Sequence, residues 1–120
     1  KETMTLKSAQ IYCEASFYIS ELDLVVETPD SRFAAFTTIR MDPLSRIAEF
    51  EPVGTHPDYR RMGLAHAMLL DGLRRLQKYN PSAICIPGAA PTESASRLYE
   101  SVGLRKLSDV YFWEKRLKEA

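Results

Sequence analysis

The stretch EFEPVGTHPDYRRMGLAHA, residues 49–67, decides how the rest of the chain is read. It opens as the end of a strand over residues 45–55. Counting by twos puts Ile47, Glu49, Glu51, Val53 and Thr55 on one face of that strand. Pro52 has no N–H and Gly54 is conformationally loose, so the strand is expected to bulge or lose pairing there. A helix follows over residues 63–79, and Arg60-Arg61-Met62-Gly63-Leu64-Ala65 joins the two elements. A loop in that place leaves unpaired N–H groups at the helix start, and together with the helix dipole these favour a phosphate-bearing ligand. Gly63 lets backbone approach such a ligand, small Ala65 does nearly the same, and Arg60 and Arg61 bring donors suited to phosphate oxygens. The pattern is neither a P-loop nor GxGxxG, whose glycines and Lys-Ser/Thr pair are missing.

Working outward, residues 7–18 have the apolar spacing of an amphipathic helix. Residues 21–27 and 32–41 read as two strands joined by the turn Thr28-Pro29-Asp30-Ser31. Downstream of the key stretch, Leu69, Leu70, Leu73 and Leu76 form the apolar stripe of the long helix, which Asn80-Pro81 ends. Residues 82–86 form a short apolar strand of the buried parallel kind, stopped by Pro87-Gly88. A second helix spans residues 92–102, with Thr92 as N-cap and Gly103 at its stop. Residues 104–117 alternate enough for one or two closing strands, with Tyr111 and Trp113 packed on one face in the core or at an edge. Hairpins early and helical crossovers late imply an α/β (α+β) fold, a mixed and mostly antiparallel central sheet flanked by helices.

Composition bounds the function. A chain of 120 residues holds one core and reads as a single domain over residues 1–120. Sixteen basic residues balance sixteen acidic ones, so the basic excess of a nucleic-acid binder or a membrane-surface protein is missing. No apolar run has the length of a membrane span. Cys13 and Cys85 lack metal or disulfide spacing and read as reduced thiols in a cytoplasmic protein, and no metal site is expected.

The key stretch resembles the acetyl-CoA-binding motif of the GCN5-related N-acetyltransferases (GNAT family): a strand, a Pro, then Arg or Gln, two residues, Gly, one residue, and Gly or Ala. Pro57, Arg60, Gly63 and Ala65 fall on those positions in register. Residues 94–104, SASRLYESVGL, are similar to the family's second signature through Leu98, Tyr99 and Gly103. Both motifs stand in order with the right helix and strand between them, and the resemblance runs from the first hairpin to the end. It implies acetyl-CoA as cosubstrate, held by residues 60–65 (Arg60, Arg61, Met62, Gly63, Leu64 and Ala65). It also implies that the strands around Pro52 and Pro87 splay, freeing backbone groups of Val53 and Thr55 for the pantetheine arm.

By the same resemblance, a primary amine of a small molecule or peptide attacks the thioester directly. Glu49 or Glu51 would act as general base, the Val53 N–H would polarise the carbonyl, and Tyr99 would protonate the leaving thiolate. Read singly, each carboxylate is more readily a solvated strand residue than a base, and Tyr99 is equally a core residue beside Leu98 and Val102. His56 reads as a surface histidine and Cys85 as a small hydrophobe. The chain departs from the family in Thr55 for Val, Leu104 for Phe, and Thr92-Glu93-Ser94 where an Asn is common. Only one helix precedes the first hairpin, where family domains carry a strand and a helix more. The chain therefore reads as the C-terminal core of a longer protein, or as a version whose sheet edge is covered by an additional N-terminal domain or by a second subunit in a homodimer. The alternative function is a non-catalytic acyl-CoA-binding domain of the same fold with a regulatory or structural role. Turnover with an amine panel separates it from an enzyme.

Overall fold

The computed structural model describes residues 5–87, 92–111 and 113–118. Helix α1 (Leu6–Cys13) opens the chain under a capping box made by Thr5 and Ser8, and is shorter than its apolar spacing implied. Three antiparallel strands follow: β1 (Asp23–Glu27), β2 (Phe33–Met41) and β3 (Ile47–Thr55). Helix α2 (Leu64–Leu76) crosses over to the short strand β4 (Ala83–Cys85), which pairs parallel with β3, and α3 (Glu93–Ser101) comes last. The sheet order is β1-β2-β3-β4. It is mixed and mostly antiparallel, as the sequence implied.

Turn chemistry fixes the hairpins. Between β1 and β2, the Thr28 N–H donates to the Arg32 carbonyl at 2.8 Å, and Ser31 takes a φ of 64°. Between β2 and β3, the Asp42 carboxylate accepts from the Ser45 N–H at 2.9 Å and the Leu44 N–H at 3.3 Å. The Arg46 guanidinium then donates to the Tyr79 and Asn80 carbonyls, tying this turn to the end of the α2 region.

The core lies between α2 and one face of the sheet. Leu24, Ala35, Ile39, Ala48, Phe50, Met68, Leu69 and Leu76 are buried there together. The stripe of α2 is rotated from the expected one: Met68, Leu69, Gly72 and Leu76 are buried, while Leu70 is 45% exposed. Gly72 marks where helix and sheet approach most tightly. A Cβ there would stand 2.8 Å from Ile39 Cδ1 and 3.0 Å from Phe50 Cε1.

Two expectations need correction. The first concerns the face of β3. Thr37 pairs with Val53 and Ile39 with Phe50, so one residue on β2 faces two on β3. The surplus sits at Glu51–Pro52, opposite Thr38. Cross-strand partners share a face, so Ala48 and Phe50 face α2 before the bulge, and Val53 and Thr55 face it afterwards. Ile47, Glu49 and Glu51 remain on the opposite face. Counting by twos fails because the bulge adds one.

The second concerns the closing strands. The described part of residues 104–118 has no strand; Trp113 is 97% exposed and Tyr111 76%. These two side chains are not core residues here. A strand needs a partner edge, and the end strand nearest in sequence, β4, is three residues long. Helix α3 stops as expected: the Gly103 N–H donates to the Glu100 carbonyl and the Leu104 N–H to the Tyr99 carbonyl, with Gly103 at a φ of 92°. This is the double bond of a Schellman cap. Gly88 of the expected strand stop lies outside the described residues.

Candidate active site

Strands β3 and β4 pair only at Ile47 to Ala83, Ala48 to Ile84 and Glu49 to Cys85. β3 continues for six residues beyond that, and among the described residues nothing pairs with its outer side. Pairing thus ends at the last residue of β4 and leaves the edge of β3 open beyond Glu49, at the carboxyl ends of two parallel strands, where open α/β sheets place their clefts.

The hydrogen-bond phase shows which groups face the opening. The His56 N–H donates to the Ala34 carbonyl at 2.8 Å. Bonded pairs alternate along an antiparallel ladder, so Phe36 and Gly54 bond each other, while Ala35–Thr55 and Thr37–Val53 are the non-bonded pairs. The N–H and C=O of Val53 and Thr55 therefore point away from β2, into the gap. Gly54 lies between them for reasons of space: a Cβ there would stand 2.6 Å from Phe36 Cε1. Its small size makes room for that ring, a requirement the sequence alone did not expose.

The loop from β3 ends at the same opening. Residues Pro57–Tyr59 form a 3-10 turn, with the His56 Nδ1 accepting from the Asp58 N–H at 3.2 Å. That bond, on an exposed ring, leaves His56 a capping residue. Arg61 and Gly63 both take positive φ, 61° and 73°. Gly63 is the N-cap of α2, and no side chain caps the helix. The first helical bond runs from the Ala67 N–H to the Gly63 carbonyl, so the N–H groups of Leu64, Ala65 and His66 precede the ladder. A Cβ built on Gly63 meets nothing within 4 Å. Arg60, Arg61 and Met62 are exposed. Among the described residues, neither arginine pairs with a carboxylate. A phosphate-bearing group thus fits here: open space, uncapped donors, two unengaged guanidinium groups and a helix dipole of the right sign.

Tyr99, on α3, is half-buried and packs against the core with Leu98 and Val102. Burial, and then the nearby Glu51 carboxylate, push its phenol above the ordinary tyrosine range. α3 is held against α2 by a 2.9 Å bond between His66 Nδ1 and Ser101 Oγ.

The two candidate carboxylates differ. Glu49 Oε2 accepts from Arg40 Nη2 at 3.0 Å, and the Arg40 guanidinium lies 5.7 Å from the Phe17 ring centre. Glu51 has no cationic partner within 4.0 Å among the described residues. Its charge adds to the burial that raises the phenol of Tyr99 and, as the smallest of several causes after burial, that of Tyr12. Tyr12 lies with the groups on the face away from α2. On that face Tyr18 Oη donates to Asp23 Oδ2 at 2.7 Å, Thr38 Oγ1 donates to Asp23 Oδ1 at 2.9 Å, and Tyr12 stands edge-on to Phe17 and Tyr18. Sequence reasoning missed Tyr12, Tyr18, Asp23 and Arg40, because pairing across β1, β2 and β3 brings them together. Cys85 sits beside Glu49, and burial and that carboxylate raise its thiol, the reverse of an activated nucleophile.

Comparison with known proteins names the family that this geometry belongs to. The model of the acetyltransferase (GNAT) family matches residues 6–104, and the chain belongs to that family. Solved structures share the fold at low identity. The aminoglycoside acetyltransferase AAC(6')-Iy, in complex with the bisubstrate analog CoA-S-monomethyl-acetylneamine, is 13% identical with a TM-score of 0.70, over 93% of this chain and 78% of its own. The ribosomal-protein-S18-alanine N-acetyltransferase of Escherichia coli is 21% identical with a TM-score of 0.68, over 88% and 64%. A mutant BH1408 protein of Bacillus halodurans is 13% identical with a TM-score of 0.74, over 93% and 74%. No curated protein sequence matches. Among the described residues, no helix is long and apolar enough to cross a membrane.

Proposed function

We propose that the chain transfers an acetyl group from acetyl-CoA to a primary amine by direct attack, on a small-molecule or peptide acceptor. One observation carries this reading: the uncapped start of α2 and the free edge of Val53 and Thr55 open on the gap that Glu51 and Tyr99 also approach. The related structures point the same way. AAC(6')-Iy has been solved in complex with CoA, and the names of these relatives specify an aminoglycoside and a protein alanine as acceptors.

In this reading the N–H groups of Leu64 and Ala65, with Arg60 and Arg61, hold the phosphates. Met62 flanks the loop, and Gly63 keeps the approach open. The edge groups of Val53 and Thr55 bond the amide-bearing arm. Acetyl-CoA supplies the activated acetyl thioester. An alkylamine is protonated at neutral pH, with a pKa of about 10.4, and must lose a proton to attack. Glu51, free of a cationic partner, takes that proton through water, and Glu49 is held in reserve by Arg40. The Val53 N–H polarises the acetyl carbonyl. Tyr99 stays protonated and donates to the departing sulfur. Its raised pKa suits a hydrogen-bond donor better than a full acid, since an alkyl thiol ionises at about 8.5.

The test is turnover of acetyl-CoA with a panel of polyamines, aminoglycosides and N-terminal peptides, followed by mass spectrometry of the amine. An acetylated amine establishes the activity. Melting stabilised by acetyl-CoA with no acetylated amine across the panel would favour the alternative, a non-catalytic acyl-CoA-binding domain.

A further inference from the structure

Helix α3 carries Tyr99, yet little fixes how it sits. It has nine residues, none of them buried. A helix that short is marginal on its own in water, where about 12–15 residues are needed, so its place depends on its neighbours. Leu98, Tyr99 and Val102 pack against the core. Apolar contact of that kind is non-directional: it holds the helix down but does little to stop it rolling about its axis. Among the described residues, one side-chain bond joins α3 to another element, the 2.9 Å contact between His66 Nδ1 and Ser101 Oγ.

The direction of that bond follows from the count of protons. A serine hydroxyl has one hydrogen, and Ser101 Oγ gives it to the Leu98 carbonyl at 2.5 Å. Toward His66 the oxygen therefore accepts, and Nδ1 carries the hydrogen. Nδ1 donates in this tautomer and in the protonated ring alike, so the bond does not depend on the charge of His66. Ser101 lies two residues past Tyr99, about 160° away around the axis at 3.6 residues per turn. A tether on the flank opposite the phenol sets the roll, and through the roll the place of Tyr99 Oη. The other end of the tether is firm. His66 stands in the first turn of α2, just after Leu64 and Ala65, and the next residues of that helix include the buried Met68 and Leu69.

We infer that His66 is a positioning residue for proton donation: its imidazole tethers Ser101, sets the roll of α3, and so aims the Tyr99 hydroxyl at the departing sulfur. The inference rests on the proposed acetyl transfer with Tyr99 as the donor. His66 also adjoins the N–H groups of Leu64 and Ala65, so the turn that holds the phosphates and the helix that protonates the sulfur share one anchor. Misplacing a reacting group by about 1 Å can cost about 10²-fold in rate. Loss of the tether should therefore be felt in kcat and hardly in donor binding.

The test is steady-state kinetics of the full chain with acetyl-CoA and an amine that the parent acetylates, beside melting with and without acetyl-CoA. Ser101→Ala and His66→Ala should each lower kcat about three- to tenfold, no more than Tyr99→Phe does, with KM for acetyl-CoA and the melting rise little changed. The double variant should be no worse than either single one, since both break the same bond. His66→Asn, whose amide N–H reaches where Nδ1 stood, should recover most of the loss. The deciding arm is a Tyr99→Phe background. With no hydroxyl left to aim, Ser101→Ala should lower kcat there by less than about twofold. An undiminished fall in that background, or single variants that turn over like the parent, would overturn the inference while the proposed activity stands. A parent that acetylates no amine, or whose kcat Tyr99→Phe leaves unchanged, would overturn the underlying reading and this role with it. Should His66→Ala not fold, Ser101→Ala, at an exposed residue, carries the test with its Tyr99→Phe pair.

Discussion

Gly63→Glu separates the cost of a strained backbone from the loss of a binding site. Gly63 sits at a φ of 73° with no atom within 4 Å of its would-be Cβ. The new Cβ therefore meets no protein atom, and the cost to the fold is taken as that of the left-handed conformation, about 1–2 kcal/mol. An unfolding entropy of about 2.1 cal/mol/K per residue gives roughly 0.25 kcal/mol/K for a chain of this size. The melting point should fall by about 4–8 °C. Saturating acetyl-CoA at about 100 times its dissociation constant adds about 2.7 kcal/mol to the parent, a rise of roughly 10 °C on the same scale. In the variant that rise should vanish, because a carboxylate now stands among the amides meant for phosphate. Gly63→Asn is the control, since Asn tolerates the left-handed region and brings bulk without charge; it should melt closer to the parent and keep more of the rise than Gly63→Glu does. Differential scanning fluorimetry with and without acetyl-CoA, with ATP as a second ligand, reads all of this. A Gly63→Glu protein that retains the full acetyl-CoA rise would refute the placement of the site.

Glu51→Gln should lower kcat about 10²–10³-fold, within the usual range for a general base. Glu49→Gln should cost less than about tenfold, because Arg40 already engages that carboxylate; the reverse order in steady-state kinetics would reassign the base. Tyr99→Phe should reduce kcat about tenfold or more with little change in KM or melting. The parent phenol, held above the ordinary range by burial and Glu51, should stay protonated past pH 10, so an alkaline fall in kcat seen there should disappear in Tyr99→Phe. A melting loss with normal turnover would leave Tyr99 a core residue only. Gly72→Ala should cost about 1–3 kcal/mol by overpacking, since its Cβ would press on Ile39, Phe50 and Leu24; chemical denaturation with an unchanged midpoint would contradict the tight approach of α2.

What could be read from the sequence followed the range of the forces. The α2 stop, the Thr92 cap, the Gly103 cap and the loop at Gly63 are local, and each was visible in its own few residues. So was the irregularity at Pro52. Its consequence was not, because a bulge reverses the sidedness of everything downstream while leaving the alternation intact. Arg40 and Glu49 stand nine positions apart and meet only because of the β2–β3 register. Tyr12, Tyr18 and Asp23 come together through the packing of a helix and a hairpin. The closing strands were misplaced for a related reason: alternation identifies a segment able to pair, and only the rest of the molecule provides an edge.

The extra residue at Glu51–Pro52 puts the two halves of β3 out of phase. Substitutions at Ile47 or Glu49 are felt on one side of the sheet, and those at Val53 or Thr55 on the other, though only a few residues separate them. Under the proposed activity, the half that meets the acceptor can diversify while the half that meets the donor is held constant. A single strand then behaves as two modules, and new acceptors can be explored without giving up the common donor.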